Sequence, residues 1–166
     1  MNRKAQYYLL VSLLLIVFLF AAIASNSITP KPSSNFRQLY ESFMTESPKV
    51  INSGIYDRNL TERFHNFSSS FILYSKSKSP NFGYTYALLD QNQLEIANHL
   101  AEQINATTDY ASFIINPGSR IVSNRTQNLT IKLGSTLYMF SFTKQTEIKA
   151  IFKQSSRNEV LIHVED

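Results

Sequence analysis

FGYTYALLDQNQLEIANHL, residues 82–100, is the stretch whose reading decides the fold. Phe82–Leu89 and Leu94–Leu100 read as two strands, and Asp90-Gln91-Asn92 between them suits a hairpin turn. Phe82, Tyr84 and Tyr86 alternate onto one face, where a half-buried pleated surface favours aromatic side chains. A polar connection this short joins antiparallel neighbours, because parallel strands need a long crossover.

The period-two texture begins at Pro80 and continues to the end of the chain. Ser112–Ile115, Arg120–Ser123, Leu129–Leu133, Thr136–Thr143, Glu147–Lys153 and Glu159–Val164 read as further strands. Asn116-Pro117-Gly118-Ser119 places Pro and then Gly as a type II turn requires. Leu133-Gly134-Ser135-Thr136 suits a two-residue II′ hairpin. Ser155-Ser156-Arg157-Asn158 is a further polar turn. Residues 80–166 are therefore expected to form an antiparallel β-sheet or small sandwich domain.

Residues 35–79 carry helical periodicity instead. Phe36, Leu39, Tyr40, Phe43 and Met44 form one stripe over Asn35–Thr45, with Ser34 as a plausible N-cap. Ser47-Pro48 restarts a short turn of helix, with Pro at its first position, and Gly54 is expected to stop it. A third helix is expected from about Leu60 to Lys76, with Leu60, Phe64, Phe67, Phe71 and Tyr74 on one face. Asn59 followed by Glu62 makes a capping-box pattern, and Lys76 and Lys78 lie where a helix C-terminus favours cations. Pro80 ends the helical segment. The aromatic stripes need a surface to cover, and the simplest is one face of the sheet. The expected class is α+β: a single N-terminal transmembrane helix, short amphipathic helices, then the β domain.

Two segments precede these. Residues 25–34, SNSITPKPSS, form a linker in which Pro30 and Pro32 prevent helix continuation. Residues 7–24, YYLLVSLLLIVFLFAAIA, carry no charge and no proline. Their 18 residues fall at the short end of the length that crosses a bilayer. Arg3 and Lys4 precede the run, and no basic residue follows until Lys31. The positive-inside rule then puts the N-terminus in the cytoplasm and the rest of the chain outside. Three readings stay open. The run is a permanent signal anchor, or a cleaved secretory signal, with Ala22-Ile23-Ala24 as its processing site after Ala24.

The third reading is a resemblance. Arg3-Lys4-Ala5-Gln6 followed at once by an apolar run resembles the class III signal peptides of archaeal type IV pilin-like proteins. The resemblance covers about the first 24 residues. It implies cleavage between Ala5 and Gln6 on the cytoplasmic side, with the apolar stretch kept as membrane anchor or filament core. Many pilins carry Glu at the fifth mature position, where this chain has Leu10.

Composition bounds the rest. The chain has 166 residues, 12 Phe, 9 Tyr, no Trp and no Cys. Disulfides, thiolate metal sites and cysteine nucleophiles are excluded, so an exported domain relies on its core alone. Net charge is +4, and Arg3 and Lys4 supply two of those charges. What remains is too even for a nucleic-acid footprint, which needs clustered Lys and Arg. The expected partners are the lipid bilayer, through residues 7–24, and a protein partner or further copies of the chain in the envelope. Five Asn-x-Ser/Thr sequons begin at Asn59, Asn66, Asn105, Asn124 and Asn128. They are a mild excess over chance and fit glycan-bearing loops outside the cell.

No motif points to catalysis or to a cofactor. His65, His99 and His163 show no zinc-ligand spacing. His65 falls on the polar side of its helix and is expected to be solvated. No serine sits in a G-x-S-x-G or S-x-x-K motif with supporting context, Ser75-Lys76-Ser77-Lys78 reading as a solvated helix end, and four glycines make no phosphate loop. Aromatics on Phe82–Tyr86 and Tyr138–Phe142 read as sheet core before they read as a ligand platform. The function expected is a membrane-anchored extracytoplasmic protein with a structural or interaction role and no catalysis. The alternatives are a pilin-like filament subunit and a secreted ligand-binding or hydrolytic domain.

Overall fold

The computed structural model describes residues 34–155 and 160–165. The apolar run 7–24 and the processing positions Ala5, Gln6 and Ala24 lie outside the described residues. Among the described residues no helix is long and apolar enough to cross a membrane.

Among the described residues two helices come first, α1 (Ser34–Tyr56) and α2 (Leu60–Lys78). Nine strands follow: β1 (Phe82–Asp90), β2 (Gln93–Asn98), β3 (Ile104–Thr108), β4 (Ser112–Ile115), β5 (Arg120–Asn124), β6 (Asn128–Leu133), β7 (Thr136–Ser141), β8 (Thr146–Ser155) and β9 (Val160–Glu165). They make two sheets, β5-β2-β1-β8-β9 and β4-β3-β6-β7, with every pairing antiparallel. The fold is α+β with a C-terminal β domain, and the chain passes back and forth between the two sheets.

β1 decides the layering. All eight residues from Phe82 to Leu89 are buried. Phe82, Tyr84, Tyr86 and Leu88 face the helices, in one core with Phe36, Leu39, Phe43, Phe64 and Phe71. Ala87 and Leu89 face the second sheet, in a separate core with Ile104, Ile131 and Phe140. A strand apolar on both faces must be covered twice. The helices cover one side and the four-stranded sheet covers the other. Tyr138, Phe140 and Phe142 therefore pack between the sheets, while Phe82, Tyr84 and Tyr86 pack under the helices.

Phe43 is the hub of the helix-side core. Its ring lies 4.9 Å from Tyr84, 5.2 Å from Phe71, 5.2 Å from Phe152 and 5.4 Å from Phe67, with no exposed surface. Tilted and edge-on ring pairs at these spacings add to area burial.

The helices differ from expectation in two ways. First, α1 is one helix of 23 residues with Pro48 inside it, not two short pieces. Pro48 removes one backbone hydrogen bond. The apolar stripe nevertheless continues in phase through Ser47, Val50 and Ile51, and burial of that stripe outweighs the lost bond. Second, Gly54 does not end the helix. The stop falls at Arg58, whose φ is 55°, with Arg58 N donating to Ile55 O and Asn59 N donating to Gly54 O. This is a Schellman closure with arginine in the place glycine usually takes. Gly54 serves the helix contact, since a Cβ there would lie 2.7 Å from Leu60 Cα.

Asn59 occupies the N-cap of α2 without a side-chain cap bond, so the capping box does not form. The buried face of α2 is also rotated from the expected stripe. Ser68, Ile72 and Ser75 are buried with Leu60, Phe64 and Phe71, and Tyr74 is half exposed. Small serines let the helix sit close to the sheet.

The turns at Gly118, Gly134 and Gln91 follow the sequence reading, while the expected turn at Ser155-Ser156-Arg157-Asn158 falls on 156–159, outside the described residues. Gly134 has φ 59° in the β6–β7 hairpin, and Gly118 has φ 73° with Ser119 N donating to Asn116 O. Gln91 is left-handed at 51° and is held there, its N–H donating to Gln145 O and its carbonyl accepting from Arg125.

Replacing Phe43 with alanine is expected to cost about 3–5 kcal/mol, because the cavity would be ringed by rigid neighbours. Gly83→Ala puts a Cβ 2.9 Å from the His99 carbonyl and 3.1 Å from Leu100 Cα, both backbone atoms. The expected cost is roughly 1–3 kcal/mol. Urea midpoints measured at unchanged m-value check both.

Candidate functional site

A group of polar side chains lies beneath α2, where β1 and β2 meet. The end of β2 positions it. Asn98 is fully buried, its Nδ2 donating to Glu102 O at 2.8 Å and Ile115 O at 2.9 Å, and its Oδ1 accepting from Leu100 N at 3.0 Å. These bonds satisfy the backbone where the chain leaves the first sheet for the second. They also turn the His99 ring under α2, with His99 N donating to Tyr84 O at 2.8 Å.

His99 Nε2 lies 2.7 Å from Ser68 Oγ, and either group donates according to the imidazole tautomer. Tyr84 Oη donates to the Ser68 carbonyl at 2.8 Å. Tyr86 Oη donates to Glu95 Oε1 at 2.5 Å, and Arg120 donates to Glu95 Oε2 at 3.3 Å. His65 is half-buried rather than solvated. Its Nδ1 is enclosed and has no hydrogen-bond partner among the described residues.

Burial dominates the electrostatics. Desolvation pushes His99 down to about 4, assisted by His65 and Lys76, so its ring is neutral at pH 7. Tyr84 and Tyr86 are both pushed up by burial, and for Tyr86 the Glu95 carboxylate adds to the effect.

A serine hydroxyl against a neutral imidazole has the composition of a nucleophile and its base. The surroundings do not serve that chemistry. Ser68 has no exposed surface. Nothing among the described residues orients His99 as a carboxylate would, since Glu95 is taken by Tyr86 and Arg120. The group acts as a polar clamp that locks α2 onto the β1–β2 pair.

The three histidines are not brought to one place. His163 stacks on Tyr40 with ring centroids 3.9 Å apart at 10°, and lies 3.3 Å from Glu165 on the edge strand. Among the described residues no three of His, Asp and Glu are grouped to hold a metal ion. A surface hollow of about 700 Å³ opens where the α1–α2 turn meets the β1–β2 and β7–β8 turns. Arg58, Asp90, Gln91 and Gln145 line it, and burial raises the Asp90 carboxyl.

A second polar centre joins the β3–β4 turn to the β5–β6 crossover. Asp109 Oδ2 accepts from Thr126 Oγ1 at 2.7 Å, Gln127 N at 2.9 Å and Asn128 N at 3.1 Å, and Oδ1 accepts from Asn128 Nδ2 at 3.1 Å. These bonds, that from Thr126 first, hold its carboxyl down to about 2. Neither centre carries a local sequence signal. Ser68 and His99 are 31 residues apart, and Asp109 precedes its partners by 17 or more.

All five sequon asparagines are exposed. Asn59 lies in the interhelix turn, Asn66 on α2, Asn105 on the outer face of β3, Asn124 at the end of β5 and Asn128 at the start of β6. Their surroundings differ. Ser68 and Thr126, the hydroxyl residues of two sequons, are buried, and the Asn128 amide is bonded to Asp109.

The chain matches no known protein family, no curated protein and no solved structure.

Two pH windows follow. The pKa of His99 is lowered in the fold, so the unfolded chain binds the proton more readily. Stability is complete above the ordinary histidine value and falls as pH drops from about 6.5 towards about 4. His99→Gln is expected to flatten that slope. Asp109 is likewise lowered, so its contribution is present above the ordinary carboxylate range and lost as pH falls through about 2. Asp109→Asn is expected to flatten only this acid limb. Denaturant midpoints from pH 2 to pH 8 read both.

Proposed function

We propose that this chain is a membrane-anchored extracytoplasmic protein whose folded domain has a structural or interaction role in the cell envelope, without catalysis. The observation that carries the reading is the uncharged run 7–24, preceded by Arg3 and Lys4 and followed within ten residues by the start of a folded domain at Ser34. The state of the domain's polar groups supports it. Ser68, His99, Glu95 and Asp109 each hold two parts of the fold together. The exposed positions of all five sequon asparagines are compatible with glycans on the outer surface.

A pilin-like subunit is the second reading, and Arg3-Lys4-Ala5-Gln6 is the feature that favours it. It differs by processing between Ala5 and Gln6 and by packing of the apolar stretches of several copies.

Because the chain has no cysteine, one introduced thiol reports topology cleanly. Asn105→Cys in intact cells is expected to react with a membrane-impermeant maleimide before lysis. Labelling only after lysis would overturn the extracytoplasmic assignment. Mass spectrometry of the N-terminus then separates the forms: Met1 for an intact anchor, Gln6 for the pilin-like subunit, Ser25 for a secreted domain.

A further inference from the structure

Four strands end the two sheets, and they are not equivalent. β4 has four residues and β5 follows the Pro117-Gly118 turn; both are short edges of the kind that resist added strands. β9 is different. Its six residues, VLIHVE, contain no proline, glycine or lysine, and they pair with β8 in unbroken register from Val160↔Ser155 to Glu165↔Ala150. Among the described residues its other side is an edge of the five-stranded sheet.

The side chains of β9 divide by face. Leu161 and His163 turn toward the helices, Leu161 packing on the helix-side core and His163 stacking on Tyr40. Val160, Ile162 and Val164 turn to the other face and are 57%, 41% and 38% exposed. That row is symmetric about Ile162: valine, isoleucine, valine. A two-fold axis through Ile162 would therefore set Ile162 against Ile162 and Val160 against Val164 of the partner, all apolar and all on one face. β7 does not have this property. Its outward row is Leu137, Met139 and Ser141, and a two-fold axis at Met139 would set leucine against serine.

We propose that β9 pairs antiparallel with β9 of a second copy of this chain about Ile162, joining two five-stranded sheets into one of ten strands. The occupant is a second copy because the row is self-complementary, which a strand of unrelated sequence would not exploit. One strand pair is small against the area of a stable dimer in free solution. The pairing draws on the high effective concentration of chains tethered to one membrane, and to that extent it rests on the anchored reading.

The test is site-directed crosslinking of the full chain in its own membrane with a membrane-permeant oxidant, so that it reads pairing on either side of the bilayer. Residues facing one another across an antiparallel pair have Cα atoms about 4.5–5.5 Å apart, within disulfide reach. Ile162→Cys alone is expected to give a covalent dimer. Val160→Cys alone is not, because its copies are offset by four residues, about 13 Å. The double variant Val160→Cys/Val164→Cys is expected to dimerise, and adding Ile162→Lys to it is expected to abolish the product. Circular dichroism of each variant checks that the sheet is retained. Ile162→Cys remaining monomeric in a folded protein would overturn the proposal. So would equal crosslinking of the Ile162→Cys and Val160→Cys single variants, which reports random collision. Crosslinking of Met139→Cys/Ile162→Cys without that of Ile162→Cys would also overturn it, since it places β9 on β7 of the neighbour.

Discussion

Burial of β1 on both faces is the constraint on which the other elements depend. The strand alternates large with small. Phe82, Tyr84 and Tyr86 fill the space beneath the helices, and Gly83, Thr85 and Ala87 let the second sheet approach. The approach at Gly83 is closest, where the His99–Leu100 backbone passes on its way from one sheet to the other. A strand patterned this way cannot be an edge and cannot face water. The αα-hairpin and the β4-β3-β6-β7 sheet are each a cover for one of its sides.

The polar side chains at the margins of the two cores follow from the same arrangement. A chain that switches sheets repeatedly leaves ladder ends inside the protein, and buried backbone groups need partners. Asn98 answers this at the β2 exit, and at the surface Asp109 ties down the exposed backbone of the β5–β6 crossover. Glu147 does so at the β7–β8 turn, accepting from Thr143 N and Lys144 N while paired with Lys149. Ser68, His99 and Tyr84 do the comparable task between helix and sheet.

Most of the fold was legible in the sequence because its signals are local. Alternation marked eight of the nine strands, and glycine and proline marked the turns. The strand that escaped, Ile104–Thr108, has the right pattern of Ile104, Ala106 and Thr108 inward, yet only two of its five residues are apolar. Pro48 and Gly54 misled the helix reading, since each is a local breaker that an in-phase buried stripe overrides. Ser47 and Gly54 lie on that stripe, and their burial is visible only once the stripe is extended through the proline. The polar clamp was not legible at all. Its members meet through packing of α2 on β1, and nothing in the spacing of Ser68, Glu95 and His99 announces it.

The pairing of β1 with β8 has a consequence for how the chain is made. Tyr84 meets Phe152 across that ladder, so the central strand lacks its second neighbour until its partner, far later in the chain, exists. A ribosome or a translocation channel releases the chain from its N-terminal end. The helical hairpin and the β1–β2 hairpin therefore emerge first, with an aromatic face and one open ladder. Contacts so distant in sequence form slowly and leave sticky intermediates in the interval. Folding of this domain is thus tied to synthesis of β8, and a chain truncated before Glu147 would lose the strand that brings Ala150 and Phe152 to the helix-side core.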